Sequence, residues 1–282
     1  MICSCCPRKC NVERGRGYCQ IPDGLFVSKL MLHKWEEPVI SGKNGSGAVF
    51  FSGCNLKCCY CQNGAISGAV SIPPVSEDEL LNGVKSLLDQ GADNVNLVSP
   101  TPYSYLLPSL LEKIKKITDK PIIYNTGGYD DAEQIRRLDG LVDVYLPDLK
   151  YLSAELARKY SSAPDYPEVA TRAIKEMLAQ SPRVIIKDGL IQKGVIIRHL
   201  VLPSHRDESV AVLEYIAKNL QGAHLSLMRQ YTPDFNRSDY KNLDRRLTSF
   251  EYDFVLNRAV ELGLDGFSQE KQSADKKYTP SF

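Results

Sequence analysis

The chain has 282 residues with 35 basic and 34 acidic side chains, a formal net charge of +1. That balance excludes a partner held mainly by bulk charge, so neither a nucleic-acid backbone nor an anionic membrane surface is expected. No apolar run approaches the roughly 18 residues of a membrane-crossing helix, and the amino terminus is polar and cysteine-rich, so a cytoplasmic protein without a membrane partner is expected.

All nine cysteines fall within the first 61 residues. An odd, clustered set in a reducing compartment points to metal ligation rather than a disulfide framework. Residues 1–24 form a leader in which Cys3, Cys6, Cys10 and Cys19 give the spacing C-x2-C-x3-C-x8-C. Pro7, Gly15 and Gly17 suit tight turns around an ion better than a helix. Four thiols of this kind close a structural zinc or hold a second iron–sulfur cluster, with Cys5 able to replace Cys6 in the set.

Residues 25–47 lead into the main domain. Leu25 to Leu32 has strand or buried character, and His33 reads as a packing histidine beside apolar residues. The run Gly42-Lys43-Asn44-Gly45-Ser46-Gly47 lacks the Lys-Ser/Thr ending of a phosphate loop and precedes a strand, so it reads as a flexible approach loop. Strand-like runs then recur at 48–52, 94–99, 121–126, 142–148, 195–202 and 224–231. Helical patterns lie near 76–90, 104–118, 130–138, 153–160, 166–180 and 207–220, with Ser76, Ser153 and Asp207 as caps. Six such units predict an α/β fold, a partial (β/α)6 TIM-like barrel with a small Cys-rich N-terminal extension. An open doubly wound sheet is the alternative arrangement. Arg183 to Gln192 reads as an inserted hairpin turning at Asp188-Gly189. The domain reading is therefore a metal-binding extension at 1–24, a barrel at 25–246, and one more helix with a tail at 247–282, the end of which, Tyr278 to Phe282, either packs across the barrel or trails off.

Parallel β/α folds place their sites at the C-terminal ends of strands. There the sequence offers the cysteine loop after Phe51, then Ser99-Pro100-Thr101-Pro102-Tyr103, Asn125-Thr126-Gly127-Gly128-Tyr129 and Asp148-Leu149-Lys150. Arg198 and His199 with Pro203-Ser204-His205, and Arg229-Gln230-Tyr231, complete the set. In the cysteine loop Cys54, Cys58 and Cys61 stand at C-x3-C-x2-C. A [4Fe–4S] cluster takes four thiolates, so three from one loop leave one iron open to another ligand. Zinc favours C-x2-C pairs with later partners, and Cys59, between ligands, reads as a packing thiol.

C-x3-C-x2-C with Tyr60 just before the last cysteine, at the end of the first barrel strand, resembles the radical S-adenosylmethionine superfamily. Further segments resemble its pyruvate formate-lyase activating enzyme-like subfamily. They are Cys3-x2-Cys6-Pro7-Arg8-Lys9-Cys10, His33-Lys34-Trp35-Glu36-Glu37-Pro38, Ser41 to Gly47, Phe50 to Asn63, Asn125 to Asp130, Leu146 to Lys150 and Arg198 to Pro203. The resemblance spans nearly the whole chain. It implies that Cys54, Cys58 and Cys61 hold a [4Fe–4S] cluster whose open iron is chelated by S-adenosylmethionine. Reductive cleavage of that cosubstrate gives a 5′-deoxyadenosyl radical for hydrogen abstraction. Tyr60 is implied as a backbone contact to the adenine, Asn125 and Thr126 as neighbours of the ribose and substrate, and Asp148, Lys150 and Arg198 as the catalytic group, with Asp148 and Arg198 also touching the cosubstrate. The glycine-rich segment that usually binds the cosubstrate's amino group is replaced by Ser99-Pro100-Thr101-Pro102, so Ser99 and Thr101 are expected to take that role with altered contacts. A flavodoxin- or ferredoxin-type reductant is implied as a partner. Activation of a glycyl radical enzyme is the implied function. Modification of a small molecule or peptide, or electron transfer without catalysis, are the alternatives.

Overall fold

The computed structural model describes residues 1–269 and Pro280. The barrel begins with a strand running against the others. β1 (Val27–His33) pairs antiparallel with β2 (Ser46–Phe51), and between them a four-residue helix, α1 (Pro38–Ser41), starts on a proline at its first position, where the missing N–H is not needed and φ is preset. From β2 the sheet runs parallel through β3 (Val95–Val98), β4 (Ile122–Thr126), β5 (Val144–Pro147), β7 (Leu190–Leu200), β8 (His224–Met228) and β9 (Gly266–Ser268), with β6 (Ile185–Lys187) paired antiparallel to β7. The sheet is open and mostly parallel, a partial TIM-like barrel. Among the described residues no helix is long and apolar enough to cross a membrane.

Each parallel strand reads as an apolar run because both of its faces are covered. Val49, Phe51, Val95, Leu97, Ile122, Tyr124, Tyr145, Val195 and Ile197 point to one face and join the large core under the helices. These are α2 (Glu77–Asp89), α3 (Leu107–Lys115), α4 (Ala132–Arg136), α5 (Ala154–Ser161), α6 (Tyr166–Gln180), α7 (Arg206–Asn219) and α8 (Ser249–Glu261). The alternate residues point to the concave face. At its N-terminal end α1 presses Val39 and Ile40 against Ile123, Val144, Leu146 and Ile196 and so floors the barrel. Above that floor the concave residues turn polar, with Asn96, Asn125 and Arg198. Strand periodicity of two therefore separates core from site.

The caps expected at Ser76 and Ser153 form; Ser76 makes a full capping box with Glu79. Asp207 is not a cap. α7 begins one residue earlier with His205 at the N-cap, and Asp207 sits in the first turn, where its charge complements the helix dipole. The helix expected at 104–118 is the shorter α3, preceded by a 3-10 turn at Thr101–Tyr103.

Three further differences concern loops and ends. The hairpin turns at Asp188 and Gly189, both with positive φ, but it is no separate insertion, since its second arm continues as β7 into the barrel. The run 42–47 is not a free loop: Asp93 accepts hydrogen bonds from the Asn44 backbone and side chain, and β2 already starts at Ser46. Beyond residue 246 the chain contributes β9 as well as a helix, so the sheet extends past the expected barrel boundary. Tyr278, Thr279, Ser281 and Phe282 lie outside the described residues.

Candidate active site

One cavity opens on the concave face. Cys54, Cys58, Tyr60 and Cys61 line it from the cysteine loop, Ser99 from the end of β3, and Asn125, Thr126 and Gly127 from β4. Asp148 and Lys150 after β5, Arg198 from β7 and Gln230 after β8 complete the polar part; Phe50, Leu56, Val98, Leu200 and Met228 form the apolar walls, and Pro280 also lines it.

The loop that carries the thiols is fastened on every side. Gly53 leaves β2 with φ +79°, and a Cβ there would lie 2.4 Å from the Ile21 side chain, so glycine is required. The Gly53 N–H donates to the Ile66 carbonyl, and the Cys59 N–H to that of Tyr160, while the Cys59 carbonyl accepts from Arg237 N–H. Asn55 donates through Nδ2 to the Tyr129 carbonyl, and its own carbonyl accepts from Arg8 Nε.

Those bonds sort the thiols. Cys54, Cys58 and Cys61 face the cavity, whereas Cys59 does not line it and lies beside Ser238. Among the described residues no three His, Cys, Asp or Glu side chains are arranged to hold a metal ion as they stand; the Cys58 thiol is engaged with Ser161 Oγ at 3.0 Å. The donor set nevertheless fits an iron–sulfur cluster. Leu56 N–H is directed at Cys54 Sγ at 3.4 Å, the kind of N–H to sulfur bond that cluster thiolates accept. Burial, then the neighbouring Cys58, pushes the Cys54 thiol up to about 12, and the same causes push Cys61 up to about 11. The free chain therefore keeps them as thiols, and a cationic metal is what makes thiolates of them.

Across the cavity lies a buried charge network. The backbones of Asp148 and Arg198 meet in a β-bridge, which brings Arg198 Nε to Asp148 Oδ1 at 2.9 Å. Arg198 Nη2 donates to Asn125 Oδ1 at 2.7 Å and Nη1 stands 3.6 Å from Glu36 Oε2. Lys150 Nζ donates to Asp148 Oδ2. Burial alone would raise Asp148, but Arg198 and Lys150 together outweigh it and hold its carboxyl below the usual range. Glu36 is raised instead: burial dominates, and Arg198 offsets only part of it.

Of the expected site residues, Tyr60, Ser99, Asn125, Thr126, Asp148, Lys150 and Arg198 reach this cavity with the three thiols. Ser99 holds φ +59° at the end of β3, a left-handed conformation in which its N–H bonds the Asn125 carbonyl. Thr101 is turned away from the cavity. Its hydroxyl donates to Asp130 Oδ1 at 2.7 Å, and Thr126 Oγ1 and Tyr124 OH donate to the same buried carboxylate. Thr101 is thus a buttress beneath the rim, because the 3-10 turn rotates it inward. The Tyr60 side chain packs among Tyr160 and Tyr231 and meets the Tyr151 hydroxyl. Arg229 is bound to Ser249 and Asp253, away from the site. His199 is held between the Leu149 carbonyl and Ser209, and His205 between Tyr160 and Asn242.

Glu36 and Trp35 line the cavity and were not expected there. The contact of Glu36 with Arg198, 162 positions away in the chain, exists only once β7 crosses the sheet. Asn96 joins them by donating to Glu36.

A partial β/α barrel with a three-cysteine loop at the C-terminal end of its first parallel strand, facing a buried carboxylate–guanidinium pair, defines a cofactor-dependent α/β enzyme. A family profile described as the radical SAM superfamily matches residues 48–216, over half of the chain. An uncharacterized protein of Methanocaldococcus jannaschii is 33% identical over 274 residues, covering 93% of this chain and 75% of that protein. The pyruvate formate-lyase-activating enzyme of Clostridium pasteurianum is 24% identical over 224 residues, 76% of this chain and 87% of the relative. The crystal structure of a radical SAM methyltransferase from Sphaerobacter thermophilus superposes with a TM-score of 0.55 at 12% identity, over 79% of this chain and 66% of that one, a likeness of fold alone. The chain belongs to the radical SAM superfamily and is an enzyme of that type. Membership implies a [4Fe–4S] cluster, S-adenosylmethionine and a reductant.

Proposed function

We propose that Cys54, Cys58 and Cys61 hold the cluster and that the facing polar set binds S-adenosylmethionine for hydrogen abstraction from a substrate. The observation that carries this reading is the sorting of four neighbouring cysteines: three line the cavity, one of them with its sulfur receiving a loop N–H, and the fourth does not line it. When bound, the cluster supplies the electron that splits the sulfonium C–S bond, releasing methionine and the 5′-deoxyadenosyl radical.

The chain's own side chains do the rest. Of the five N–H donors on Arg198, its contacts with Asp148, Asn125 and Glu36 leave others free for a carboxylate, and Lys150 keeps donors beyond the one on Asp148. Asp148 and the Ser99 hydroxyl are the acceptors for an ammonium group, in place of the usual glycine-rich segment. Phe50, Leu56, Val98 and Met228 keep water from the reacting atoms. The leader, residues 1–24, stands outside this reaction and keeps its thiols for a metal of their own.

The activating-enzyme relative favours a glycine on a partner polypeptide as the hydrogen donor, with a small molecule or free peptide as the alternative. Anaerobic reconstitution, reduction with S-adenosylmethionine present and chromatography for 5′-deoxyadenosine tests the chemistry; no product from an intact cluster refutes it. Cys58→Ala abolishes product, and a glycyl radical signal on an added polypeptide separates the two donor classes.

A further inference from the structure

The leader gathers a second set of thiols. Its turns are closed by backbone bonds: Cys3 N–H to the Val12 carbonyl, Asn11 N–H to that of Cys3, and Lys9 N–H to that of Cys6. Cys3, Cys5, Cys6 and Cys19 are buried and Cys10 is half-buried. Among them lies Arg14, only 7% exposed. Its Nη1 donates to Cys3 Sγ at 3.8 Å, Cys5 Sγ at 3.5 Å and the Pro102 carbonyl at 3.1 Å, and its Nε to the Pro22 carbonyl. Nη2 has no partner, and no carboxylate stands within ion-pair distance of Arg14 among the described residues. A buried guanidinium without a carboxylate partner is an uncompensated charge, which is strongly unfavourable. Thiolates on a metal supply the missing negative charge.

Hydrogen bonding then sets Cys5 apart. Arg14 Nη1 is directed at both Cys3 and Cys5, and Tyr18 N–H at Cys10 Sγ at 3.4 Å. Cys5 also donates its S–H to the Pro102 carbonyl at 3.4 Å, which a ligand thiolate cannot do. We propose that Cys3, Cys6, Cys10 and Cys19 bind one tetrahedral thiophilic divalent ion, zinc by the C-x2-C and C-x3-C spacings, with Arg14 as its buried counter-cation and Cys5 as a free thiol. Four thiolates on a divalent ion leave two negative charges, and Arg14 cancels one of them. The ion also clamps the active site: Ser104 Oγ donates to the Cys5 carbonyl at 2.6 Å, Arg14 holds Pro102, and Arg8, stacked on Tyr18 and Tyr129, holds Asn55 inside the cysteine loop.

The test is elemental analysis of the full chain carrying Cys54→Ala, Cys58→Ala and Cys61→Ala together, which removes the cluster and makes the result independent of the radical reading. The expected content is one zinc per chain; zinc-free protein, or iron with acid-labile sulfide, overturns the proposal. In the same background Cys10→Ala drops zinc about tenfold, whereas Cys5→Ala retains it, and the reverse pattern overturns the ligand set. Arg14→Met, which removes no ligand, speeds zinc transfer to a colorimetric chelator about tenfold; an unchanged rate overturns its role as counter-cation. Should the triple variant not fold, zinc measured beside cluster iron in the wild-type chain reads the same stoichiometry, and its absence is equally decisive.

Discussion

Replacing Arg198 by Met removes the cation that three buried carboxyl groups, Asp148, Glu37 and Glu36, share while keeping most of the side-chain volume. The lost interactions are the 2.9 Å bond to Asp148, the 2.7 Å bond to Asn125 and the 3.6 Å ion pair to Glu36. Removing one partner of a buried pair costs about 3–5 kcal/mol. Lys150 stays on Asp148, so the low end applies, and the orphaned Asn125 oxygen adds about 1 kcal/mol. The expected loss is about 3–4 kcal/mol. Glu36→Gln alone costs only about 1 kcal/mol, since glutamine keeps an oxygen for Asn96 and Asn125 and Arg198 keeps Asp148. Combined, the two substitutions restore a neutral network of Asp148 and Lys150, and the double variant is more stable than additivity allows by about 1–2 kcal/mol.

The pH dependence follows from Glu36. Its folded-state value is already raised by burial, and without Arg198 it rises further. An acid that holds its proton more tightly when folded contributes stability that is full below its unfolded value of about 4.3 and lost as pH rises through the folded value. The Arg198→Met deficit therefore grows as pH rises from the folded-state value of Glu36 in the wild type to its higher value in the variant, by at most about 1.4 kcal/mol per unit. Glu36→Gln removes its own part of that slope; the part due to Glu37, which burial also raises and Arg198 also offsets, remains. Equilibrium urea denaturation of the cluster-free chain measures all four corners of the cycle. Additivity within about 0.5 kcal/mol at the alkaline end, or a single-variant loss below about 1 kcal/mol, refutes the shared-cation account.

Asp130 accepts from Thr101, Thr126 and Tyr124, so Asp130→Ala strands three buried hydroxyls and lowers stability by about 3 kcal/mol; a urea midpoint within experimental scatter of wild type contradicts that. Glu251 is held well below the usual carboxylate range, chiefly by the Arg245 bond and against burial. Its contribution is present above the unfolded value of about 4.3 and is lost as pH falls through the depressed folded value. Thermal melts of Glu251→Gln are accordingly lower than wild type at neutral pH and converge with it in acid, and parallel curves count against the assignment.

The cysteine loop, the strands and most helix positions were legible because their causes are local. Apolar runs such as Ala48 to Phe51 recur with helical periodicities between them, Ser76 and Glu79 form their capping box within four residues, and the C-x3-C-x2-C spacing needs no partner to be read. Thr101 and Asp207 misled because a turn rotates one residue inward and a helix starts one residue early, shifts that local propensity does not control.

The pairing of Arg198 with Glu36 had no local signal. It depends on α1 flooring the barrel and on β7 lying beside β5, so that side chains 162 positions apart meet in a space closed to water. The same holds for Arg14, an unremarkable basic residue in the leader until packing against Pro102 and Tyr105 buries it among thiols. Sequence by itself determined where the thiols cluster along the chain and roughly where the strands end. Only the tertiary structure decided which thiols face the cavity and which charges are desolvated, because desolvation depends on what the whole chain packs around a group.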